Sequence, residues 1–500
     1  MTWTAVVAIL TVVAGCTRFT DGHASLAMPE VGAPIVWDKC ANASGGATSP
    51  LLDSARCGRL GVPVDYSKPE SAGASLFLIK FPATGAKIGS LVVNPGGPGE
   101  SGVNIALTLA QSLPDALRER FDLVGFDPRG VARSRPALWC NTDAENDTLR
   151  ADPMVDYSPA GVAHIEKVTN EFVQRCVDKM GKEFLANVGT ASVVKDLDRL
   201  RAALGDSKLT YLGYSYGTRI GAGYAEAYPE NVRAMVLDGA IDPNMDPMDA
   251  DIRQAAAFQS AFNEYAAGCA AEPDCPLGSD PAKAVDVYHS LIDPLVNRPA
   301  RTADPRGLSY SDAIVGTILP MYSKTLWPSL TTALQEIAGG RGDKMLKLAD
   351  QYMHRDQNGR YTNATDARSA VSCVDRPPVK DRAKAVEEDR RLREVAPFMS
   401  YGQFTGNAPL NTCAFWPVPP TGEPHSISVR DIPPVLVIST TGDPATPYQA
   451  GVDLARQLSG SLLTYDGTQH TIALQGNSCV DAIVTRYLID LNMPPLESRC

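Results

Sequence analysis

The sequence predicts an α/β fold, a mostly parallel sheet with a large helical insertion between its late strands, and three observations carry that reading. Short runs rich in Val, Ile, Leu and Phe occur at 75–81, 90–93, 121–126, 209–213, 232–237, 435–439 and 462–465. Several are continuous, as in strands covered on both faces. Helical patterns alternate with them, which favours parallel neighbours. The alternation breaks over 135–189 and again over 242–431, where the pattern is helical with Gly/Pro interruptions and no strand series. Because strand-like sequence resumes at Val435, the second break reads as an insertion into one sheet domain.

At the N-terminus, Thr4 to Gly15 are apolar or small and run into Val12-Val-Ala-Gly-Cys16. This run falls short of the ~20 residues that span a bilayer but fits the apolar region of a secretory signal. Small Ala14 and Gly15 before Cys16 suit a lipoprotein signal peptidase. Residues 1–15 are therefore expected to be a signal peptide, and Cys16 a diacylated N-terminus that anchors an exported chain to the membrane, facing outward. Met1-Thr2-Trp3 lacks Lys and Arg, which points to a start upstream of this Met1. Residues 16–34 read as a polar tether. The rest divides into a first core part 35–241, a helical lid 242–431 and a second core part 432–500.

Cysteine usage supports export. Of the eleven, Cys16 stands apart, leaving Cys40, Cys57, Cys140, Cys176, Cys269, Cys275, Cys373, Cys413, Cys479 and Cys500. An even set in an exported chain implies five disulfides. Sequential pairing is expected, since Cys269 and Cys275 bracket a tight Pro-containing loop and Cys479 and Cys500 bracket the C-terminal segment. No C-x-x-C pair exists, so zinc is discounted, and no other metal or cofactor is expected. Apolar residues at 44% and charged residues at 21% describe an ordinary globular chain. Lys+Arg 46 against Asp+Glu 57 gives −11, which argues against a nucleic-acid face.

In the segment 190–205, Thr190 or Ser192 is the expected N-cap, apolar residues recur at 194, 197, 200 and 204, and Gly205 is the expected stop. The next strand runs into Gly213-Tyr-Ser-Tyr-Gly217, a G-x-S-x-G between strand and helix. A serine on so sharp a turn projects its hydroxyl above the sheet, and the glycines admit close backbone. Ser215 is therefore the expected nucleophile, with Gly217 and Gly221 on the helix face that meets the strands.

A serine hydroxyl needs a base, and only six histidines exist. His23 lies in the tether, His164, His289 and His354 lie in the two breaks, and His425 sits among prolines. His470 follows the last strand run and is the expected base. Val435-Leu-Val-Ile-Ser-Thr-Thr-Gly-Asp-Pro-Ala-Thr-Pro447 places Asp443 in a loop after a strand, between Ser and His in chain order. Asp238, at the end of an earlier strand, competes for the same role; its other reading is a loop carboxylate that caps backbone N–H groups.

Ser90-Leu-Val-Val-Asn-Pro-Gly-Gly-Pro-Gly-Glu-Ser-Gly102 contains a literal G-x-G-x-x-G, and Asp127 could imitate a ribose-binding acid. A dinucleotide site would require Pro98 inside the fingerprint and would leave Ser215, Asp443 and His470 unexplained. No Gly-Lys-Ser/Thr follows, so a P-loop is excluded. The loop reads instead as one side of an oxyanion hole, with the N–H groups of Gly97 and Tyr216 as donors worth about 3–4 kcal/mol each.

These motifs, with Phe121-Asp-Leu-Val-Gly-Phe-Asp-Pro-Arg-Gly130 and Val236-Leu-Asp-Gly-Ala-Ile-Asp-Pro243, resemble the tripeptidyl-aminopeptidase and proline-iminopeptidase branch of the α/β-hydrolases from about Ile35 to Cys500. The resemblance implies an α/β-hydrolase fold, Ser215 as nucleophile, Asp443 as acid, His470 as base, a helical lid and an acyl-enzyme mechanism on peptides or esters. Relatives often begin the glycine-rich loop with His, where this chain has Asn94-Pro95. Lid acids such as Glu264, Glu272 or Asp274 are expected to bind a peptide's free ammonium. The competing activity is a carboxylesterase or lipase with an apolar acyl tunnel; a binding protein would need no such triad.

Overall fold

The structure, a computed structural model, describes residues 28–40, 50–70, 72–495 and 497–500. Cys16, the expected signal peptide 1–15 and most of the tether lie outside the described residues. A single sheet organises the chain: β1 (Asp38–Lys39), β2 (Arg56–Pro63), β3 (Gly73–Phe81), β4 (Gly89–Asn94), β5 (Phe121–Asp127), β6 (Leu209–Tyr214), β7 (Val232–Asp238), β8 (Leu436–Thr440), β9 (Ser461–Tyr465) and β10 (Ser498–Arg499). Their order is β1-β2-β3-β5-β4-β6-β7-β8-β9-β10. β1, β2, β3 and β5 pair antiparallel, and every pair from β5 to β10 is parallel. The parallel strands β4 to β9 are the apolar runs that both faces of the sheet bury, one against each of two hydrophobic clusters.

β2 is a strand that the apolar pattern does not announce. Its sequence, Arg-Cys-Gly-Arg-Leu-Gly-Val-Pro, alternates poorly because the N-terminal segment crosses it. A Cβ at Gly61 would sit 2.5 Å from the carbonyl oxygens of Pro29 and Glu30, so a side chain is excluded there. Its pairing is secured by the Cys40–Cys57 disulfide. The other bridges are Cys140–Cys176, Cys269–Cys275, Cys373–Cys413 and Cys479–Cys500, so all five pair sequentially.

The helix Thr190–Ala203 starts differently from expectation: its N-cap is Gly189, and neither Thr190 nor Ser192 caps it. The carboxylate of Asp375, far away in sequence, accepts from Thr190 N at 2.6 Å and from Thr190 Oγ1 at 2.5 Å. A Cβ at Gly189 would lie 2.6 Å from Asp375 Oδ1. A tertiary carboxylate thus takes the orphan N–H that a local cap would serve. Gly205, at φ +80°, ends the helix as expected.

Between β7 and β8 the chain builds helices Pro247–Ala270, Tyr310–Met321, Trp327–Ala338, Asp343–Tyr352, Ala364–Asp375 and Arg382–Val395, with their own hydrophobic cluster. This insertion and the earlier break over 135–189 fold together. Arg150 Nε meets Asp312 Oδ1 at 2.7 Å and its Nη1 meets Asp350 Oδ1 at 2.7 Å. Asn363 Nδ2 donates to Gly130 O and Leu138 O at 2.7 and 2.9 Å. Arg129, from the Asp-Pro-Arg-Gly motif, is fully buried in a two-point pair with Asp196 at 2.6 and 2.7 Å. Its remaining donors reach the carbonyls of Pro63, Val64 and Asn187, so the motif braces the sheet.

Candidate active site

β6 ends at Tyr214 and the helix Tyr216–Ala227 begins at once. Between them Ser215 adopts φ +54° and ψ −124°, a conformation that non-glycine residues rarely hold. Surrounding backbone enforces it: Ser215 N donates to Asp238 O at 2.9 Å, and its carbonyl accepts from Thr218 Oγ1 at 2.6 Å. A Cβ at Gly213 would stand 2.5 Å from Gly217 O, and one at Gly221 2.5 Å from Leu237 Cδ2. The helix can approach β6 and β7 only because these positions lack side chains.

The glycine-rich loop after β4 presses on this turn. A Cβ at Gly96 would lie 2.5 Å from Tyr214 O and 2.7 Å from Tyr216 N. Asn94, where relatives often carry His, turns its Oδ1 inward to accept Gly96 N at 2.9 Å. Gly97, Ser215 and Tyr216 line one cavity of about 310 Å³. Neither the Gly97 nor the Tyr216 N–H is used in a hydrogen bond among the described residues, so both are available to a ligand oxygen. Asp127, the imitation ribose acid, is spent elsewhere: it accepts from Ser101 Oγ, Val103 N and Arg133 N and is wholly buried.

At the other strand ends, His470 Nδ1 lies 2.9 and 3.0 Å from the two oxygens of Asp443. Asp443 also accepts from Ala445 N at 2.9 Å, Thr446 N at 2.8 Å and Thr446 Oγ1 at 3.0 Å. This network places the proton on Nδ1 and leaves Nε2 as the basic nitrogen. Burial opposes the imidazolium, but the charge and hydrogen bond of Asp443, with Asp238 adding, outweigh it and raise the His470 pKa above its ordinary value. No hydrogen bond joins Ser215 Oγ to Nε2 among the described residues; both residues meet the C-terminal end of β7, Ser215 through its N–H on Asp238 O at 2.9 Å and His470 beside Gly239, where a Cβ would be 3.1 Å from His470 Cε1.

Asp238 makes no bond to His470. Its Oδ2 accepts from Ile472 N and Ala473 N, both at 2.7 Å, which fixes the chain just after His470. It is the capping carboxylate, and burial pushes it up to about 6, against the pull of those N–H groups and of His470.

The insertion supplies the far wall of the cavity. Asp251 and Gln254 come from the helix Pro247–Ala270; Arg368, Asp375 and Arg376 come from the helix Ala364–Asp375 and its end. Asp375 accepts from Tyr216 Oη at 3.1 Å, and Arg376 pairs with Asp251 at 2.8 Å. Sequence reasoning did not find these residues. Only Cys373, whose bridge pins that helix, hinted that it is fixed, and nothing local places it over Ser215. The expected ammonium anchors lie elsewhere. Glu264 is paired with Lys324 and Thr468, and Glu272 and Asp274 are exposed in the Cys269–Cys275 loop. None of the three lines the cavity; its acids are Asp242, Asp251 and Asp375.

A strained serine at a strand-to-helix turn, an aspartate-bound histidine at neighbouring strand ends and an open cavity beside them define a serine hydrolase. The chain belongs to the alpha/beta hydrolase fold family, whose sequence profile matches residues 89–477. It is 63% identical to serine protease Hip1 of Mycobacterium tuberculosis over 505 aligned residues, covering 100% of this chain and 97% of that protein. It is 53% identical to carboxylesterase B of the same organism, covering 94% and 91% of the two chains. Against tripeptidyl aminopeptidase of Streptomyces coelicolor the identity is 30%, with 94% and 87% covered.

Proposed function

We propose that this serine hydrolase is an exported, lipid-anchored enzyme that cleaves peptide bonds, and esters as a second activity, at a Ser215–His470–Asp443 triad. His470 Nε2 takes the Ser215 proton as Oγ attacks the carbonyl carbon. The oxyanion then forms against the N–H groups of Gly97 and Tyr216. His470 passes the proton to the departing amine or alcohol; water, deprotonated in turn by His470, then attacks the acyl carbon, and His470 returns that proton to Ser215 Oγ as the carboxylic acid leaves. Asp443 holds the imidazole and stabilises its charge.

The observation that carries this reading is the His470–Asp443 pair, bound through Nδ1 at 2.9 and 3.0 Å and presented beside the strained Ser215 turn. Similarity to a serine protease over the whole chain supports peptide cleavage as the main role. The aminopeptidase relative supports action near chain ends, and the insertion wall, acting as a lid, would restrict access to match. Similarity to a carboxylesterase favours the second reading, hydrolysis of acyl esters without a peptidase role. Protein beginning at Gly32, given tripeptidyl and acyl-ester reporters in parallel, separates the two. Turnover of both, abolished by Ser215→Ala, is expected; ester turnover with no cleavage of any peptide or protein would remove the protease assignment. Five disulfides favour an oxidising compartment. Mass spectrometry of the Cys16 peptide tests the anchor, and an unmodified N-terminus there would refute it.

A further inference from the structure

The base and the glycine-rich loop stand on separate strand ends, yet one stretch of the insertion reaches both. His470 N donates to Tyr322 O at 2.9 Å, and Ser323 forms a β-bridge with Gln469. The Tyr322 ring packs nearly perpendicular to the imidazole, with centroids 5.5 Å apart at 75°. On its other side, the Tyr322 centroid is 6.3 Å from that of Tyr352, and the Arg368 guanidinium lies 5.6 Å from the Tyr352 ring. Arg368 Nη2 then comes within 3.6 Å of Glu100 Oε1, at the end of the glycine-rich loop. That loop is seated directly on the same helix: a Cβ at Gly99 would be 2.3 Å from Ala364 O and 3.0 Å from Arg368 N. Arg368 also lines the cavity with Gly97 and Ser215.

An imidazole held only at Nδ1 can still pivot about that hydrogen bond. A perpendicular ring in the 4.5–7 Å range restricts that pivot, and the bond from the His470 backbone N–H fixes the chain that carries the imidazole. On the opposite side, Glu100 is held by His354 Nε2 at 2.8 Å and, at 3.6 Å, by Arg368 lying over the Tyr352 ring, so that both side chains secure the loop that carries Gly97. The Tyr322 hydroxyl agrees with such a chain: burial and the neighbouring Tyr352 hydroxyl push its pKa up, while Arg368 pulls it down.

We infer that Tyr322, Tyr352 and Arg368 are positioning residues that couple the orientation of His470 to the placement of the Gly97 N–H, so that the insertion completes the catalytic centre in addition to walling it. This inference rests on the Ser215–His470–Asp443 reading. Displacements of about 1 Å in such a centre cost on the order of 10²-fold in rate, which sets the scale of the test.

The experiment uses the full chain and a short p-nitrophenyl acyl ester, with kcat and KM measured from pH 5 to pH 9 and active sites counted by burst titration. Tyr322→Leu is expected to lower kcat about 100-fold with KM near wild type, and to shift the acid limb of kcat toward lower pH as the imidazole loosens from Asp443. Tyr322→Phe and Arg368→Gln are each expected to lower kcat about tenfold, and the double variant no further than the worse single, because both cut one chain. Arg368→Lys is expected to recover little, since a lysine does not stack as a guanidinium does. Wild-type kcat in these variants, strictly additive losses, or losses confined to KM would overturn the coupling while an inert Ser215→Ala leaves the triad standing. Should Tyr322→Leu fail to fold, the Phe and Gln cycle decides alone. Ser215→Ala at wild-type rate would overturn the triad and this inference with it.

Discussion

At the C-terminal ends of the strands, buried carboxylates are held by backbone amides, whereas in the helical layer above them arginines hold a set of mostly half-buried carboxylates, with Asp366 and Asp375 as exceptions that take backbone N–H groups. Asp127 accepts from Val103 N and Arg133 N, Asp238 from Ile472 N and Ala473 N, and Asp443 from Ala445 N and Thr446 N. In the helical layer, Asp312 and Asp350 meet Arg150, Asp304 and Asp350 meet Arg306, and Asp147 meets Arg355. Backbone amides belong to the sheet's own loops and fix a carboxylate where the strand ends. The pairs of Arg150 and Arg355 join segments distant in sequence, the break over 135–189 and the insertion. The first arrangement sets the geometry of chemistry; the second sets the register of the wall above it.

That contrast predicts a division between rate and stability. The largest rate effect belongs to the strand ends. Ser215→Ala is expected to lower kcat by about 10⁵-fold or more with a melting temperature near wild type, read by ester hydrolysis and circular dichroism. Retained activity would place the chemistry outside the strand ends.

Asp443→Asn follows, at about 10⁴-fold in kcat. The amide cannot favour the Nδ1–H tautomer, yet its oxygen can still accept from Ala445 N or Thr446 N, so the fold should persist. The pH profile adds a signed test. His470 must be neutral to act as a base, and Asp443 raises its pKa, so kcat/KM of the wild type should climb with pH through a limb lying above the ordinary histidine value of about 6.5. Residual activity in Asp443→Asn should climb through a limb at lower pH. An unmoved limb would mean that another group controls it.

Arg150→Met probes the insertion. It leaves Asp312, whose side chain is 5% exposed, without its arginine, and breaking such a buried pair costs about 3–5 kcal/mol. Thermal or urea unfolding should show that loss, while kcat per titrated active site stays within about twofold. A large kcat loss at unchanged stability would erase the contrast between the two regions.

These two modes of holding charge also divide what the sequence discloses. The parallel strands are legible because a run buried on both faces is continuously apolar. Ser215 stands out because its turn demands glycines at fixed offsets, and Asp443 and His470 because each sits in a loop just after a late apolar run, in the chain order Ser, Asp, His. β2 escapes notice because its glycines answer to a crossing segment, Pro29 and Glu30, that local pattern cannot reveal. Gly189 replaces Thr190 as N-cap because Asp375 arrives from 185 residues away. Arg368 and Arg376 are likewise read only in three dimensions. Glu264, expected to anchor an ammonium, pairs instead with Lys324 and Thr468 away from the cavity, contacts that local sequence does not show.

The smallest expected effect gives the finest test, because Asp238 is a strand-end carboxylate with one oxygen left over. Oδ2 receives two backbone N–H groups, while the buried Oδ1 has no partner among the described residues. An asparagine with its oxygen in the Oδ2 position would keep both bonds and lose the buried charge. The pKa of Asp238 is raised from 3.8 to about 6, so the native state binds a proton more tightly than the unfolded chain does. That contribution to stability is complete below about pH 4 and is lost as pH rises through about 6, amounting to a cost on the order of 3 kcal/mol at neutral pH. Asp238→Asn should therefore gain in melting temperature over wild type at pH 8 relative to pH 5. With one negative charge fewer beside His470, its acid limb should move to lower pH, with kcat at its plateau within about tenfold of wild type. A melting difference that is flat from pH 5 to pH 8 would show that Asp238 does not hold its proton as a strand-end carboxylate short of partners should. A plateau loss as large as that of Asp443→Asn would instead make Asp238 a second acid of the catalytic centre.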